Sequence, residues 1–410
     1  MAATGLRERL GSYSLFAAVL SGAGLPIYIY APKYYADTYG ISLATLAAVL
    51  FGLRLFDVVQ DPALGWISER LGALRGLAVT AGGLLLAASM IALFAIDPPI
   101  APIWWFGLSI TGLFTAFSFL TINFYAQGVA KGGGLRGGHT RLAAWRETGA
   151  LLGVCVAAVA PTLLTGFLDR PFAAFAGGFA GVTLIAVALM APEWTGPVNR
   201  TPSGIREILR DRIARRLLIL ALVNATPLAV SSTLFLFFVE SGLGAAGWEG
   251  PLLVLFFLAA AFSAPLWARL AARYGEKPTL IAAMVLAIVS FGFVLPLGAG
   301  DIWFFAVICV ASGATIGADL TLLPALFAAR MAAISPTGGQ GFGLWSLVSK
   351  FTLAFAAAIL LPTLDYVGFV SGAAENPAGA LTVLTILYAL VPCALKLVAI
   401  ALLAATPLKE

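Results

Sequence analysis

Twelve apolar runs, each near or above the roughly 20 residues a helix needs to cross a bilayer, dominate this chain. They fall near 13–32, 42–66, 74–96, 100–128, 142–167, 171–191, 217–239, 250–270, 278–298, 302–329, 340–363 and 379–405. Lipid offers no hydrogen bonds to the backbone, so runs of this length must be helices. Only 10% of the 410 residues are charged, against about 25% in soluble domains. The expected fold is an all-α polytopic membrane protein of twelve transmembrane helices.

Lys and Arg set its orientation. Arg7 and Arg9 precede the first run, Arg70 and Arg75 follow the second, and Lys131, Arg136 and Arg141 follow the fourth. Arg200, Arg206, Arg210, Arg212, Arg215 and Arg216 follow the sixth, and Arg269, Arg273 and Lys277 follow the eighth. The alternate loops hold only Lys33 and Arg170. Both termini are therefore expected in the cytoplasm, in a multi-pass protein of the cell (inner) membrane. The first run lacks a convincing cleavage site and reads as a retained helix. The net charge of +5 follows from this topological bias, so nucleic acid is not an expected partner. The bilayer is, and the chain is expected to act as a monomer.

Two carboxylates stand inside the second run, in Arg54-Leu-Phe-Asp57-Val-Val-Gln60-Asp61-Pro62-Ala-Leu-Gly65. An Asp at the bilayer centre costs about 3 kcal/mol, so two of them require a compensating role. Four residues apart on a helix, they rise about 6 Å along one face, with Arg54 nearby. Joined by the Gln60 amide, they form a candidate site for a small cation or a shared proton. The opposing reading is a structural ion pair, with Arg54 and Lys350 as the counter-charges.

The polar segment 192–216 divides the runs six and six, into an N-terminal bundle 1–191 and a C-terminal bundle 217–410. A helix start is expected at Thr201-Pro-Ser203, leading into a basic amphipathic stretch on the membrane surface. The halves echo each other: Pro62, Arg70 and Gly72 match Pro265, Arg273 and Gly275, each pair 203 residues apart. A parallel repeat of two six-helix halves resembles the major facilitator superfamily, whose site lies near the midplane between the halves. Gly65-Trp-Ile-Ser-Glu69-Arg70-Leu-Gly72-Ala-Leu-Arg75 is similar to that superfamily's loop signature. The likeness implies a charge network at Glu69, Arg70, Arg75 and Arg273, with Arg54 beside it, that stabilises one access state.

The string Asp57-x-x-Gln60-Asp61-Pro62 resembles helix two of the glycoside–pentoside–hexuronide:cation symporters, the family of the melibiose/sodium symporter. Tyr34-Tyr-Ala-Asp37-x-x-Gly40-Ile-Ser42 is similar to that family's exit from helix one. The resemblance implies a Na⁺ or H⁺ site at Asp57, Gln60, Asp61 and Ser118, an aromatic sugar platform at Tyr125, and cavity cations at Arg146 and Lys350. Three features depart from it, one being Leu326-Phe-Ala-Ala-Arg330-Met-Ala-Ala where the family usually carries an acidic segment after helix ten. Ser21 or Gly22 and Thr121 stand where the sugar-transporting members carry carboxylates that grip hydroxyls, so the transport machinery is better supported than a sugar.

The remaining candidate substrate contacts are Asn123, Gln127, Trp145 and Trp345. Asp319 lies among small residues and is a candidate second proton site, balanced against a structural hydrogen bond. Glu147 is expected to point away from Arg146, and Lys396 to snorkel to the interface. His139 is expected in a solvated loop, and Cys155, Cys309 and Cys393 as small buried residues that form neither disulfides nor metal sites. No nucleophile–base pair, metal cluster or phosphate-binding loop appears, so neither enzymatic activity nor a cofactor is expected beyond the coupling ion. The sequence thus reads as a secondary active transporter coupling Na⁺ or H⁺ to a small organic solute, with sugars and glycosides among the candidates. The alternatives are a lipid-like or amphipathic substrate on the same fold, or a non-transporting assembly or sensor protein.

Overall fold

The computed structural model describes residues 9–24, 27, 30–135, 137–165, 167–194, 204–370 and 376–408. Arg7, Arg136, Arg200 and the helix start expected at Thr201–Ser203 lie outside the described residues. Every regular element among those described is helical. Nine helices among them are long and apolar enough to cross a membrane. The other expected spans fall on the short apolar helix α1 (Leu10–Gly22), on α3 (Leu43–Arg70), which carries the charges, and on α11 (Glu276–Gly292).

The chain forms two compact units. The first comprises residues 1–203 and Met331–Gly343; the second comprises Gly204–Arg330 and Leu344–Glu410. The expected halves divide at the linker, and the structure adds to the first a piece of sequence from far into the second.

In the first unit α1 is followed by α2 (Ala31–Tyr39), α3, α4 (Arg75–Phe94), α5 (Pro102–Gly132), α6 (Gly138–Leu164) and α7 (Pro171–Met190), ending in a 3₁₀ turn at Ala191–Trp194. Local chemistry sets several boundaries. The Ser42 side chain accepts from the Thr45 N–H at 3.2 Å and caps α3. Prolines open α5 and α7, where no N–H is required. On α6, Gly149 and Gly153 approach Ser14 and Ala18 of α1 so closely that a Cβ at either position would overlap their backbone. Small residues of this kind let membrane helices pack backbone to backbone.

The second unit contains α8 (Ile205–Arg210), α9 (Arg212–Phe237), α10 (Glu249–Tyr274), α11, α12 (Ile302–Ile334), α13 (Gly339–Tyr366), α14 (Ala378–Thr385) and α15 (Val391–Ala404). The first residues of α13 belong to the first unit. Asp211 caps α9 by accepting from the Ala214 N–H at 2.7 Å, and takes Arg330 of α12 on both carboxylate oxygens. Two π turns, Phe238–Gly242 and Ile386–Leu390, meet where Phe238 stacks on Tyr388 with ring centroids 4.4 Å apart.

The repeat has a backbone basis. Pro62 lies inside α3 and Pro265 inside α10. Gly72 and Gly275 follow those helices at φ 52° and 91°, a region that a side chain disfavours.

Candidate functional site

Asp57 is 2% exposed, and Asp61, one turn further along α3, is fully buried. Packing of α3 against α5 brings Ser118 and Thr115, three residues apart on α5, to this face. The Ser118 hydroxyl donates to Asp57 Oδ1 at 2.7 Å, and Gln60 Nε2 donates to the same oxygen at 2.9 Å. Thr115 Oγ1 donates to Gln60 Oε1 at 3.2 Å. Asp57, Gln60 and Ser118 thus form one cluster with Asp61 a turn away. Thr115 is an addition the sequence reading missed, although its spacing from Ser118 marked it.

A second cluster lies in the same unit. The Arg146 guanidinium sits 3.8 Å over the Tyr125 ring, and Arg146 Nε donates to Glu147 Oε1 at 2.8 Å. The Tyr125 hydroxyl donates to the same Glu147 oxygen at 3.3 Å, and its ring packs 5.0 Å from Phe342. Glu147 was expected to point away; it is buried instead, because the long Arg146 side chain folds back onto it. Arg146 Nη2 and Thr121 Oγ1 are buried without a hydrogen-bond partner among the described residues. Thr121 and Tyr125 are one turn apart, on one face of α5.

The end of α3 carries a third network. Glu69 accepts from Thr337 Oγ1 at 2.9 Å, from the Gln340 backbone N–H at 2.9 Å and from Gln340 Nε2 at 2.8 Å. Gly65 makes this approach possible, since a Cβ there would lie 2.8 Å from the Gly339 carbonyl oxygen. Arg70 stacks on Trp66 at 3.7 Å. Arg75 donates to the Asn123 side-chain oxygen at 3.2 Å and to its backbone oxygen at 2.9 Å. Ser68 donates to that side-chain oxygen at 2.8 Å, and Asn123 Nδ2 donates to the Phe119 carbonyl at 2.8 Å. Asn123, expected to contact substrate, therefore ties α5 to the end of α3 and the start of α4. Gln127 likewise donates to the Glu193 carbonyl at 2.6 Å, beside the Lys131–Glu193 ion pair at 2.9 Å.

Other candidates are placed individually. Ser21 is half-buried on α1 and Arg54 half-buried on α3. Trp145 is exposed. His139 is part of α6 and half-buried, its ring against Gly132, where a solvated loop residue was expected. In the second unit Trp345 packs 4.9 Å from Phe327, Lys350 is half-buried on α13, and Arg273 is exposed with its guanidinium 5.1 Å from the Tyr274 ring. Lys396 does not snorkel. It is 5% exposed and pairs with Asp319, because a partner 77 residues away in sequence neutralises it inside the bundle. Cys155 and Cys309 are buried, Cys393 is half-buried, and all three are free thiols.

A family model described as MFS/sugar transport protein matches residues 12–410. The chain belongs to this family of major facilitator transporters. Among curated proteins, a probable nitrate/nitrite antiporter, NarK1, of Thermus thermophilus is 36% identical over 84 residues, 20% of this chain and 19% of that protein. The chain thus matches under a fifth of that relative's length. Among solved structures, a bacterial homologue of the iron transporter ferroportin in an outward-facing state superimposes with TM-score 0.70 at 12% identity, over 96% of this chain and 99% of that one. The same homologue with soaked iron gives 0.69 at 13% identity, over 97% and 99%. At such identities the likeness is one of fold.

Proposed function

We propose that this transporter is a secondary active symporter, coupling Na⁺ or H⁺ to a small organic solute by alternating access. The observation that carries the reading is Asp57, buried in a membrane helix with Ser118 and Gln60 on one of its oxygens. A buried carboxylate with a hydroxyl and a carboxamide beside it suits a proton or a hard cation. Turning the Gln60 amide over would bring Oε1 beside Asp57, adding an acceptor for Na⁺. Arg146, Tyr125 and Thr121 are the solute contacts. An N–H and a hydroxyl left without partners in a buried site are what a hydroxylated solute satisfies, at about 1–3 kcal/mol for each unmade bond. The termini and the basic loops lie in the cytoplasm.

The unpartnered guanidinium N–H and the short likeness to a nitrate/nitrite antiporter favour a small anion as the second reading. One experiment separates the two. Purified protein in liposomes, with imposed Na⁺ or H⁺ gradients, is screened with labelled sugars, glycosides and nitrate. Accumulation of a sugar or glycoside above equilibrium under one gradient supports the first reading, and accumulation of nitrate alone supports the second. Uptake that never exceeds equilibrium under any gradient rules out coupling.

A further inference from the structure

A cavity of about 560 Å³, open rim included, lies inside the second unit among α9, α10, α11, α12 and α15. Its polar floor is Asp319, Lys396 and Asn224, each buried. Lys396 Nζ donates to Asp319 Oδ2 and to Asn224 Oδ1, the latter at 2.7 Å. Asp319 Oδ1 is buried with no hydrogen-bond partner among the described residues. A buried acceptor in this condition is costly unless something supplies a donor.

The walls complete the chemistry. Leu228, Phe256, Ile288 and Phe291 are apolar. Ser231, Ser312 and Thr315 also line the cavity, but each hydroxyl donates to its own helix, at 3.0 Å to Pro227, 2.6 Å to Ile308 and 2.7 Å to Ser312. Those side chains therefore present lone pairs to the cavity. The polar lining is short of donors: Asp319 and the three hydroxyls are acceptors for an incoming donor. The charges of Asp319 and Lys396 already cancel, so a charged ligand would stand uncompensated in an apolar pocket.

We propose that this cavity is a second ligand site, separate from the Asp57 cluster, for an uncharged amphiphile with an apolar body and an O–H or N–H donor head. The head donates to Asp319 Oδ1, and the body lies against Phe256 and Phe291. The site stands independently of the symport reading, since nothing in it involves α3 or α5.

Cys393, half-buried on the cavity wall, reports occupancy. Its alkylation by N-ethylmaleimide is followed by peptide mass spectrometry on the intact protein in detergent, with 4-hydroxybenzyl alcohol as the probe. The alcohol should slow alkylation of Cys393 about tenfold at ten times its Kd. Benzylammonium, benzoate and the donor-free dimethyl ether of the probe should not. Ala287→Phe, which fills the cavity and leaves the ion pair intact, should abolish protection while the ligand-free melting temperature stays near wild type. Asp57→Asn should leave protection unchanged. If Ala287→Phe unfolds, Leu228→Trp replaces it as the cavity-filling test. No protection by the alcohol, equal protection by benzylammonium or the diether, or protection surviving a folded cavity-filling variant would each overturn the proposal.

Discussion

Glu69 holds the N-terminus of α13 through Gln340: its Oε1 takes the backbone N–H at 2.9 Å and its Oε2 the side-chain amide at 2.8 Å. A carboxylate at a helix N-terminus meets both free N–H groups and the positive end of the helix dipole. Glu69→Ala leaves a buried backbone N–H without a partner, and is expected to lower stability by about 2–3 kcal/mol. Glu69→Gln should lose less, because one amide oxygen still accepts. Unfolding in detergent followed by intrinsic fluorescence checks this; a Glu69→Ala variant as stable as wild type would remove Glu69 from any structural role.

Asp57→Asn and Asp61→Asn should each abolish gradient-driven accumulation in liposomes while solute exchange at equal concentrations survives. Ser118→Ala should weaken coupling less, since Asp57 keeps its charge and its Gln60 contact. Concentrative uptake by either Asn variant at the wild-type level would place the coupling ion elsewhere.

Asp211 titrates outside the membrane, where its link to pH can be worked out. The hydrogen bond from Arg330 lowers its pKa most; burial opposes this, and the Ala214 N–H adds to the lowering. A carboxylate depressed in the folded state contributes stability above its unfolded pKa of about 4, and that contribution disappears as pH falls through the folded value. Wild type should therefore exceed Asp211→Asn in unfolding midpoint at pH 7, and the two should converge in strong acid. Parallel curves down to pH 2 would show that the carboxylate charge contributes nothing there.

Gly149→Ala and Gly153→Ala introduce a Cβ into the backbone of α1, and each should cost about 1–3 kcal/mol through overpacking. Gly24→Ala, where a Cβ meets nothing within 4 Å, is the control. Equal melting temperatures for all three would mean that α1 and α6 separate without penalty.

Lys396→Ala should be among the most damaging substitutions in the second unit, at about 3–5 kcal/mol, because it leaves a buried Asp319 charge unpaired. Adding Asp319→Leu should recover much of that loss. Additive losses in thermal unfolding would show that the pair is not energetically linked.

Much of the fold was legible in the sequence because lipid permits so few backbone solutions. The lengths of the apolar runs located the helices, and the matched Pro62/Pro265 and Gly72/Gly275 pairs located two prolines inside helices and two glycines of positive φ after them. Asp57 stood out because a carboxylate inside a membrane run is expensive, and the family pattern pointed to Ser118, 61 residues away. Periodicity says which residues share a face, but not which faces meet. That is why Lys396 was given to the interface rather than to Asp319, and Asn123 to a substrate rather than to Arg75. Glu147 was misjudged for another reason: helical angle describes Cβ directions, and a flexible Arg146 reaches past them.

The piece Met331–Gly343 makes the boundary of inheritance differ from the boundary of folding. The 203-residue echo suggests that the coding sequence came in two lengths, cut near the polar linker. Yet a polypeptide ending at residue 203 would carry Glu69 with none of its three donors, all of which lie at Thr337 and Gln340. The first length is not self-sufficient: a protein expressed as two separate halves must recover that short stretch from its partner before the first half is whole.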